Sequence, residues 1–600
     1  MVNRQSLLLT VLTAAHLAAG YKWPSPLYDS LEGFLFEGRR RDGSNMATLQ
    51  HPCKVRTGTQ ASIGAEWLRL AYHDVATHNI ETGTGGLDAS IAFELDRAEP
   101  TKAPRATFQN FGIGMVHSLD DFETFSTKYL SRADIIAFGT VFAVASCGGP
   151  IISFRGGRID ALSADVAGVP EPHQDLETHI EIFRRQGFSQ EEMISLVACG
   201  HTLGGVRSSD FPNIVTSGDN PAVDNFELFD TTSQFDNAVV TEYVAGSTLN
   251  PLVVDTNATL NSDLRIFSSD DNATMRKLAD PDVFSSTCAT LLERMLNTVP
   301  STVTLTEPIT MIPAKVTSAQ LTIDQNELIF KTAFRLSEPS NARNSKRIVT
   351  MYWCDRYGPD KDCVRQNVKT ALPATSPRRD ETTGSPILQR TGLDLVHHEF
   401  VVPINPDESI SMFWFEVDEQ DGARAKRYDN EGEGYKIAQD TIIYAPRLSS
   451  VTFSGAQRTQ RQFVFVAGVK TGITPSRVFL SAFDNAMPDY AAPLNADFEM
   501  VFNDTIPAAA GYEFYTAIVD DSGSQLTIDL HAVVDDAVLT EDYQQTFFIA
   551  ARTPFNRPTN VTIVRQVSPP SGPTSGSSHT WDLLRLEVIM GLLLAVTLLT

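Results

Sequence analysis

In the first half of the chain, apolar residues recur every three or four positions, a spacing that places them on one face of an α-helix. The clearest stretches are 65–77, 131–146, 176–186, 190–196 and 285–298. Glycine-rich turns such as ETGTGGLD and SFRGGRID separate them. This pattern predicts a mainly α-helical domain over residues 21–300.

Beyond residue 300 apolar residues alternate with polar ones, as in SAQLTIDQNELIFKTAFRL, RQFVFVAGV and QLTIDLHAVV. A period of two predicts strands that bury one face. Short strands at regular intervals are typical of β-sandwiches. We expect two sandwich-like domains, 301–447 and 448–567, so the predicted fold class is multidomain, mainly α followed by all β.

Both ends of the chain have features of targeting signals. Residues 1–20 contain Arg4, an apolar run and the small residues Ala-Ala-Gly, which is typical of a cleaved secretory signal peptide; a buried N-terminal helix is the alternative. Residues 568–600 join a small, polar linker to the apolar tail VIMGLLLAVTLLT. That order indicates a glycosylphosphatidylinositol anchor signal. A spanning tail is the alternative, although the apolar run is shorter than a span requires.

Composition narrows the range of partners. The formal net charge is −25 at pH 7, from 48 Lys and Arg against 73 Asp and Glu. No basic tract interrupts this excess, so nucleic acid is excluded as a partner. A chain of 600 residues with 42% hydrophobic residues is an ordinary globular protein with more than one core.

Cysteines and glycosylation sequons fit passage through the secretory pathway. The 6 cysteines allow many pairings, of which only Cys354–Cys363, closing a short loop, is predicted. No spacing resembles a zinc site. The Asn-x-Ser/Thr sequons are at Asn257, Asn272, Asn503 and Asn560.

Short motifs with chemical potential follow one another in the helical half. Residues 69–74 read RLAYHD, which places Arg69 and His73 on one helical face. GGLDAS, SCGGP, GGRIDA, VPEP, ACGHTLGG, FDTTSQFD and LNSD follow in that order. The ordered set resembles the plant-type haem peroxidase superfamily, most closely its secreted fungal class II branch. The resemblance covers roughly residues 50–297.

The resemblance implies a site for haem b, with hydrogen peroxide and a small reducing substrate as partners. Arg69 and His73 would be catalytic: His73 moves a proton from peroxide to the departing oxygen, and Arg69 stabilises the negative charge that develops. His201 would bind the haem iron, and Asp263 would accept the other N–H of its ring. The aromatic residues beside the two histidines, packing around the haem, would be Tyr72 and Phe229.

Two calcium ions are implied as well, because the matching positions offer the hard oxygen ligands that calcium prefers. The loop of the second site is one residue shorter than in the fungal pattern, which leaves Asp230 one position off. The distal set would be Asp74, Gly86 through its carbonyl, Asp88 and Ser90, and the proximal set Thr202, Asp230, Thr231 and Asp236.

One departure from the family pattern concerns the distal histidine. The family has an asparagine after a downstream glutamate, hydrogen-bonded to that imidazole. Here Pro100 follows Glu99, and no asparagine occurs before Asn110. We expect the orienting asparagine to be missing, so that another group orients His73 or its reaction with peroxide is slower.

Other departures concern the reducing substrate. A manganese site is improbable, because the matching positions Ser62, Glu66 and Arg207 offer one carboxylate. Ascorbate peroxidase-like members use an arginine where this chain has Asp210. A generic peroxidase remains, oxidising small phenols at the haem edge beside residues 169–172. The alternative for this stretch is a plain surface turn.

The leading hypothesis is a secreted haem peroxidase held at the cell surface, with a cell wall or membrane reached through the lipid anchor. The alternative is a catalytically decayed peroxidase domain that serves as a scaffold, with adhesion or binding in the β region. Retention of Arg69, His73, His201 and Asp263 favours the enzyme.

Overall fold

The computed structural model describes residues 21–38, 44–57, 60–95, 110, 112–216, 224–359, 361–363, 367–379, 385–455, 460–488, 491–546, 549 and 564–567. The predicted signal peptide (1–20), the sequon at Asn560 and the predicted linker and anchor signal (568–600) lie outside these residues. Among the described helices, none has the length and apolar character that crossing a membrane needs.

The half of the chain up to residue 300 is mainly helical, and the five helices expected from the apolar spacing are present. All five begin behind a serine or aspartate whose side chain accepts a backbone N–H of the first turn, which is how such residues start a helix. The helices are α1 (Pro26–Glu37), α2 (Ala47–Gln50), α3 (Ile63–Val75), α4 (Ile113–Phe122), α5 (Arg132–Ser146), α6 (Leu176–Arg185), α7 (Gln190–His201), α8 (Ala238–Ala245), α9 (Pro251–Val254), α10 (Ser262–Phe267), α11 (Ala273–Leu278) and α12 (Pro281–Leu296).

Helix α5 is the centre of this domain, because nearly every residue along it is buried. Phe138 stacks on Phe154 with ring centroids 3.9 Å apart, and Phe34 of α1 packs 4.9 Å from Phe138. A short antiparallel pair, β1 (Gly205–Arg207) and β2 (Phe226–Leu228), follows α7. This pair fixes the chain between the end of α7 and Phe229.

Three disulfides connect the cysteines, and the described residues contain no free cysteine. The predicted Cys354–Cys363 link is confirmed. Cys53–Cys147 joins the segment before α3 to the end of α5, and Cys199–Cys288 joins α7 to α12. These two bridges join parts of the helical half that are distant in sequence.

Beyond residue 300, the part of the chain that the structure describes forms antiparallel strands and one α-helix, α13 (Pro386–Thr391). Their pairing gives four sheets. The strands are β3 (Ala314–Asp324), β4 (Glu327–Pro339), β5 (Ile348–Cys354), β6 (Asn367–Ala371), β7 (Arg378–Arg379), β8 (Leu393–Ile404), β9 (Met412–Asp418), β10 (Lys426–Tyr428), β11 (Tyr435–Lys436), β12 (Ile442–Tyr444), β13 (Ser450–Ser454), β14 (Gln460–Lys470), β15 (Arg477–Asp484), β16 (Leu494–Glu499), β17 (Val501–Phe502), β18 (Tyr512–Asp521), β19 (Thr527–Val534), β20 (Ala537–Gln545) and β21 (Val564–Val567).

The sheets form two pairs, each with its own apolar core. The first pair has strand orders β3-β4-β8-β7 and β10-β9-β5-β6-β21, with β11 on β9. The second has orders β12-β14-β18-β17, with β13 on β14, and β16-β15-β19-β20. Residues of β12, β14 and β18 also reach the first core, so the two cores meet. The division predicted after residue 447 stays a prediction; β12 precedes it and already pairs in the second pair of sheets.

Helix α1 ties the helical half to the first pair of sheets. Glu32 on α1 is fully buried, and its carboxylate pairs with Lys315, at 2.8 Å from Nζ, and with Arg335. Ahead of the helix, Trp23 packs against Phe413 and Tyr435 with ring centroids 5.9 and 5.7 Å away. The same short segment therefore belongs to both halves of the protein.

A second contact joins the helical half to the other pair of sheets. Lys128 Nζ lies 2.5 Å from Asp529 and 2.7 Å from Asp542, and the Tyr129 hydroxyl donates to Asp542 at 2.7 Å. Asn485 donates to Asp160 at 2.7 Å. The β region is thus bonded to the helical domain at several separate places.

Candidate active site

A cavity of about 300 Å³ opens between α3, α7, α10 and the chain after β1. Both predicted histidines, His73 and His201, line it, together with Arg69, Tyr72 and Asp263. All residues that line the cavity lie between Ala61 and Met295. The described part of the β region contributes none of them.

The distal histidine is held by Asn110. The Nδ1 atom of His73 lies 2.9 Å from Asn110 Oδ1, and both side chains are buried. Asn110 Nδ2 in turn donates to the Glu94 carboxylate at 3.3 Å. Because Asn110 Nδ2 faces a carboxylate, its Oδ1 is the atom that faces His73, and an oxygen can only accept. His73 therefore has its proton on Nδ1 and a lone pair on Nε2.

The expectation that the orienting asparagine is missing was wrong. Asn110 fills the role, and Glu94, not Glu99, is the glutamate that fixes it. The sequence hid the pair because the asparagine follows its glutamate at a longer separation than the motif leads one to expect. Asn110 also has a positive φ of 65°, which asparagine tolerates better than most residues.

Burial and neighbouring charges set the protonation states of His73 and Arg69. Burial, followed by the neighbouring Arg69 charge, lowers the pKa of His73 well below its usual value, so the imidazole is neutral. Burial lowers the pKa of Arg69 to about 10, which leaves the guanidinium charged at neutral pH. Arg69 also lies over the ring of Phe211, 5.7 Å from its centroid. A neutral base thus stands one helical turn from a permanent cation.

Tyr72 lies beside His73 in the wall of the cavity. Its ring stacks on Phe183 with centroids 5.8 Å apart, and its hydroxyl donates to Gln186 Oε1 at 3.4 Å. Burial raises the pKa of Tyr72 above its usual value, so the phenol stays protonated. The residue closes one side of the cavity as an uncharged wall.

The proximal histidine has a matching arrangement. His201, the last residue of α7, has Nδ1 2.8 Å from Asp263 Oδ2 on α10. Asn250 Nδ2 donates to the same carboxylate oxygen at 2.8 Å, which holds it in place. Phe229 stacks on the imidazole with centroids 4.3 Å apart and planes at 14°. The carboxylate accepts a hydrogen bond from the Nδ1–H group, so Nε2 is the nitrogen left for a metal.

Residues of the predicted distal calcium set lie close together, and hydrogen bonds from the turn at residues 88–91 to Asp74 connect them. Asp74 accepts the backbone N–H groups of Asp88, Ala89 and Ile91 at 3.0, 2.7 and 2.9 Å, and the Ser90 hydroxyl at 3.4 Å. Burial, followed by the charge of Asp88, raises the pKa of Asp74 well above its usual value. A calcium ion bound at Asp74 would have to displace some of these bonds, and the distal site stays a prediction.

The predicted proximal calcium set contains unsatisfied oxygens. Asp230 Oδ2 is buried with no hydrogen-bond partner, and so is Glu242 Oε2, whose other oxygen accepts the Thr231 hydroxyl. Burial raises the pKa of Asp230 to about 7, with smaller contributions from the nearby carboxylates of Asp236 and Glu242. Thr202 at the end of α7 donates to the Asp236 carbonyl. Glu242 was missed from the sequence, since it lies on α8, outside the matched motif.

Over the residues that the structure describes, no three His, Cys, Asp or Glu side chains converge as they would around a metal ion. Calcium also binds hydroxyl and carbonyl oxygens, which are not counted in a cluster of these four residue types, and the proximal set includes such oxygens. Its two unpartnered carboxylate oxygens are the observation that fits a cation there.

The positions that match a manganese site are occupied in a way that opposes one. Arg207 lies 3.6 Å from Glu66, 3.4 Å from Asp224 and 3.9 Å from Asp210. Glu66 is further paired with Arg56 at 2.7 Å. An arginine in the centre of the carboxylates repels a metal cation, as the sequence indicated.

A buried imidazole with a free lone pair, a neighbouring arginine and a carboxylate-bound histidine around one cavity define a peroxidase-type domain. The chain matches the model of the peroxidase family over residues 50–280. This match and the similarity to plant peroxidases support placing residues 50–280 in the plant-type haem peroxidase superfamily.

Similar proteins extend this result. A "WSC domain-containing protein" of Arthroderma benhamiae is 38% identical over 341 residues, which cover 56% of this chain and 46% of that protein. A "Putative L-ascorbate peroxidase 6" of Arabidopsis thaliana is 34% identical over 143 residues, 23% of this chain and 40% of that one. A "Putative heme-binding peroxidase" of Aspergillus fumigatus is 30% identical over 150 residues, 24% and 43% of the two chains.

The chain thus spans less than half the length of these three relatives. The Arthroderma match is longer than the span 50–280, so that similarity reaches beyond the peroxidase domain. The special closeness to fungal class II enzymes is not confirmed, because the relatives include ascorbate peroxidases.

Proposed function

We propose that this protein is a haem peroxidase that reduces hydrogen peroxide to water and oxidises small donors of the phenol type. One observation carries the proposal. His73 and His201 line the same cavity, and each has its Nδ1 atom bonded to a fixed acceptor, Asn110 or Asp263. In both rings Nε2 is left as the reactive nitrogen.

The residues around the cavity fit a haem group. His201 Nε2 has no hydrogen-bond partner among the described side chains, and Phe229 and Asp263 fix the plane of its ring. Imidazole held in this way is a common axial ligand of haem iron. When bound, haem supplies the redox chemistry that no side chain of this chain provides.

The distal residues supply the proton transfers. His73 Nε2 takes one proton from hydrogen peroxide and returns it to the oxygen that leaves as water, so the imidazole ends as it began. Asn110 keeps the ring in the tautomer that makes this possible. Arg69 stabilises the negative charge on the separating oxygen, because it remains a cation throughout.

We also propose that the reducing donor approaches beside residues 169–172, which line the cavity and form its rim. The two prolines there restrict the backbone to an extended form. In this proposal the β region supports the peroxidase domain and does not form the donor pocket, in keeping with the cavity lining that ends at Met295.

We propose one calcium ion on the proximal side, held by Thr202, Asp230, Thr231 and Asp236 together with Glu242. The two buried, unpartnered carboxylate oxygens of Asp230 and Glu242 support it. The distal calcium stays a sequence prediction with no support from the bonds around Asp74.

Secretion and attachment to the cell surface are proposed from the sequence of the two ends. Three disulfides support an oxidising compartment, since such bonds persist there. Release from membranes by a phosphatidylinositol-specific lipase tests the anchor; protein that stays bound argues for a spanning tail.

The test of the enzyme uses the whole secreted chain, because α1 is shared with the β region. Haem is added, and the absorbance spectrum is recorded before and after peroxide. We expect haem uptake and a rapid spectral change in the parent. His73→Ala should keep haem and lose most of the peroxide reaction, whereas His201→Ala should weaken haem retention.

His531→Gln, a change in the β region, is the matched control and should behave like the parent. Haem uptake without any response to peroxide would support the alternative, a decayed scaffold. No haem uptake, or equal behaviour of the two histidine variants, would refute the assigned roles.

A further inference from the structure

More carboxylate side chains than arginines line the cavity. On one side, Arg207 stands among Glu66, Asp210 and Asp224, with oxygens 3.6, 3.9 and 3.4 Å from its guanidinium. Glu66 and Asp210 line the cavity themselves. Glu66 is shared with Arg56, so the charge of Arg207 is offset chiefly by Asp210 and Asp224, and Arg207 does not offer a positive docking point.

The rim at residues 169–172 adds a further carboxylate. Glu171 lines the cavity, and its side chain is largely buried, with 11% of its surface exposed. His173 lies beside it, with Nδ1 3.3 Å from the Glu171 carboxylate and a ring that is mostly solvent-exposed. Arg265 donates to the Pro172 and Gln174 carbonyls here, and the carboxylates of Asp175 and Asp263 lie near enough to offset its charge, so the rim carries no excess of positive charge.

Arg69, the remaining cation of the cavity, cannot serve as a dock for donors. It is next to His73 and is assigned to the peroxide reaction. Asp210 and Glu66 are near enough to Arg69 to oppose the loss of its proton. An anionic donor that entered beside Asp210 or beside Glu171 would meet a carboxylate before it reached Arg69.

We infer that the pocket selects its reducing donors by charge, accepting cationic and neutral aromatic donors and rejecting anionic ones, with Asp210 and Glu171 as the specificity-determining residues. This inference rests on the proposed peroxidase function and narrows its substrate class. It sets the chain apart from the relatives whose names state ascorbate, because ascorbate is an anion at neutral pH.

The physical reason is electrostatic focusing. A cleft lined by charge of one sign, with walls of low dielectric constant, raises the local concentration of the opposite ion and lowers that of the like ion, by about tenfold or more. The net charge of −25 on the whole chain acts in the same direction. Salt weakens the effect, since about 0.15 M salt screens charges beyond roughly 8 Å.

The test uses three phenols with the same ring and different side-chain charge: 4-hydroxyphenethylamine, 4-ethylphenol and 3-(4-hydroxyphenyl)propionate. The full-length, haem-loaded protein oxidises each with hydrogen peroxide, and kcat/KM is measured at low and high salt. We expect the cation to exceed the anion by about tenfold at low salt, with the neutral phenol between them. High salt should bring the three values together.

Two variants assign the effect to residues. Asp210→Asn and Glu171→Gln should each reduce the ratio of cation to anion, and together they should abolish most of it. Asp535→Asn, in the exposed turn between β19 and β20, is the control. It makes the same change in net charge as either single variant, at a residue that does not line the cavity, and should leave the ratio unchanged.

The outcomes distinguish failure of the charge selection from failure of the proposed peroxidase function. The haem spectrum before and after peroxide, recorded without donor, reports whether the protein is a peroxidase at all. A normal peroxide response with equal kcat/KM for the three phenols overturns the charge selection alone. An unchanged ratio in the double variant also overturns it, and a protein that does not react with peroxide overturns both.

Discussion

His73 and Asn110 form a buried pair in which the histidine Nδ1 atom donates to the asparagine Oδ1 atom across 2.9 Å. The pair decides the chemistry of the distal side, since it leaves the Nε2 lone pair free to accept a proton from peroxide. Glu94 prevents the amide from turning over, because its carboxylate accepts a hydrogen bond from Asn110 Nδ2. The tautomer and the orientation of His73 are therefore fixed by residues beyond the helix that bears it.

Asn110→Ala should slow the reaction with peroxide by about tenfold to a hundredfold, because the tautomer and the orientation of His73 are no longer fixed. Haem content should not change. The measurement is the second-order rate constant of the absorbance change after mixing with peroxide. Asn495→Ala, on an exposed part of β16, is the control; an Asn110→Ala protein as fast as this control would contradict the assignment.

Asp263→Asn should weaken haem retention by about tenfold or more, because the amide no longer accepts the His201 N–H as a charged group. Asn250, which donates to Asp263, also loses a strong acceptor. Transfer of haem from the protein to apomyoglobin measures the effect. Asp282→Asn, exposed in the first turn of α12, supplies the comparison and should retain haem like the parent.

Glu32→Gln should destabilise the whole chain by about 3 kcal/mol, since it leaves the buried charges of Lys315 and Arg335 without their partner. Burial alone would raise the pKa of Glu32, but the two cations outweigh it and lower the pKa to about 2. The contribution is thus present above the unfolded-state pKa and is lost as the pH falls towards 2.

Chemical denaturation at pH 7 measures the free energy of unfolding for this variant. Glu307→Gln, which breaks only a surface pair with Arg155 at 3.6 Å, is the matched control and should have little effect. Equal stability of the two variants would show that α1 does not join the halves as described.

His398 on β8 should make the protein sensitive to acid. Neither ring nitrogen has a hydrogen-bond partner, and burial, followed by the charges of Arg347, His397 and Arg379, lowers its pKa to about 4; Glu419 opposes this. The unfolded chain binds the proton more readily, so stability is lost as the pH falls from about 6.5 towards 4.

His398→Leu should therefore be more stable than the parent at pH 5, by about 1–2 kcal/mol, and nearly equal to it at pH 7. Denaturation midpoints at the two pH values measure this difference. A variant that loses as much stability on acidification as the parent would assign the sensitivity to another group.

Removal of calcium should lower the midpoint of thermal unfolding, because Asp230 and Glu242 would then be buried without a counter-ion. Melting curves with calcium and with a chelator give the shift. Asp230→Asn should abolish the response, whereas Asp271→Asn, an exposed change, should keep it. An Asp230→Asn protein that still responds would place the ion elsewhere.

The parts of this protein that could be predicted from the sequence are those with a local signal. The spacing of Arg69 and His73 and the apolar period placed α3 within two residues of its observed start. Asn110 could not be found in this way, because its partner Glu94 is near in space and not at the separation of the motif. The docking of Trp23 against Phe413 was equally hidden, since nothing in either segment marks a contact over such a separation.

The bridge between Cys199 and Cys288 has a practical consequence for anyone producing the protein. Cys199 lies two positions ahead of His201, so the residue that would ligate iron is on a helix cross-linked to α12 across a sequence separation of 89 residues. Closing a loop of this size restricts the unfolded chain by about 4–5 kcal/mol. Material made in a reducing bacterial cytosol would lack that restraint, and its failure to take up haem would report the redox state of the host and not the competence of the sequence.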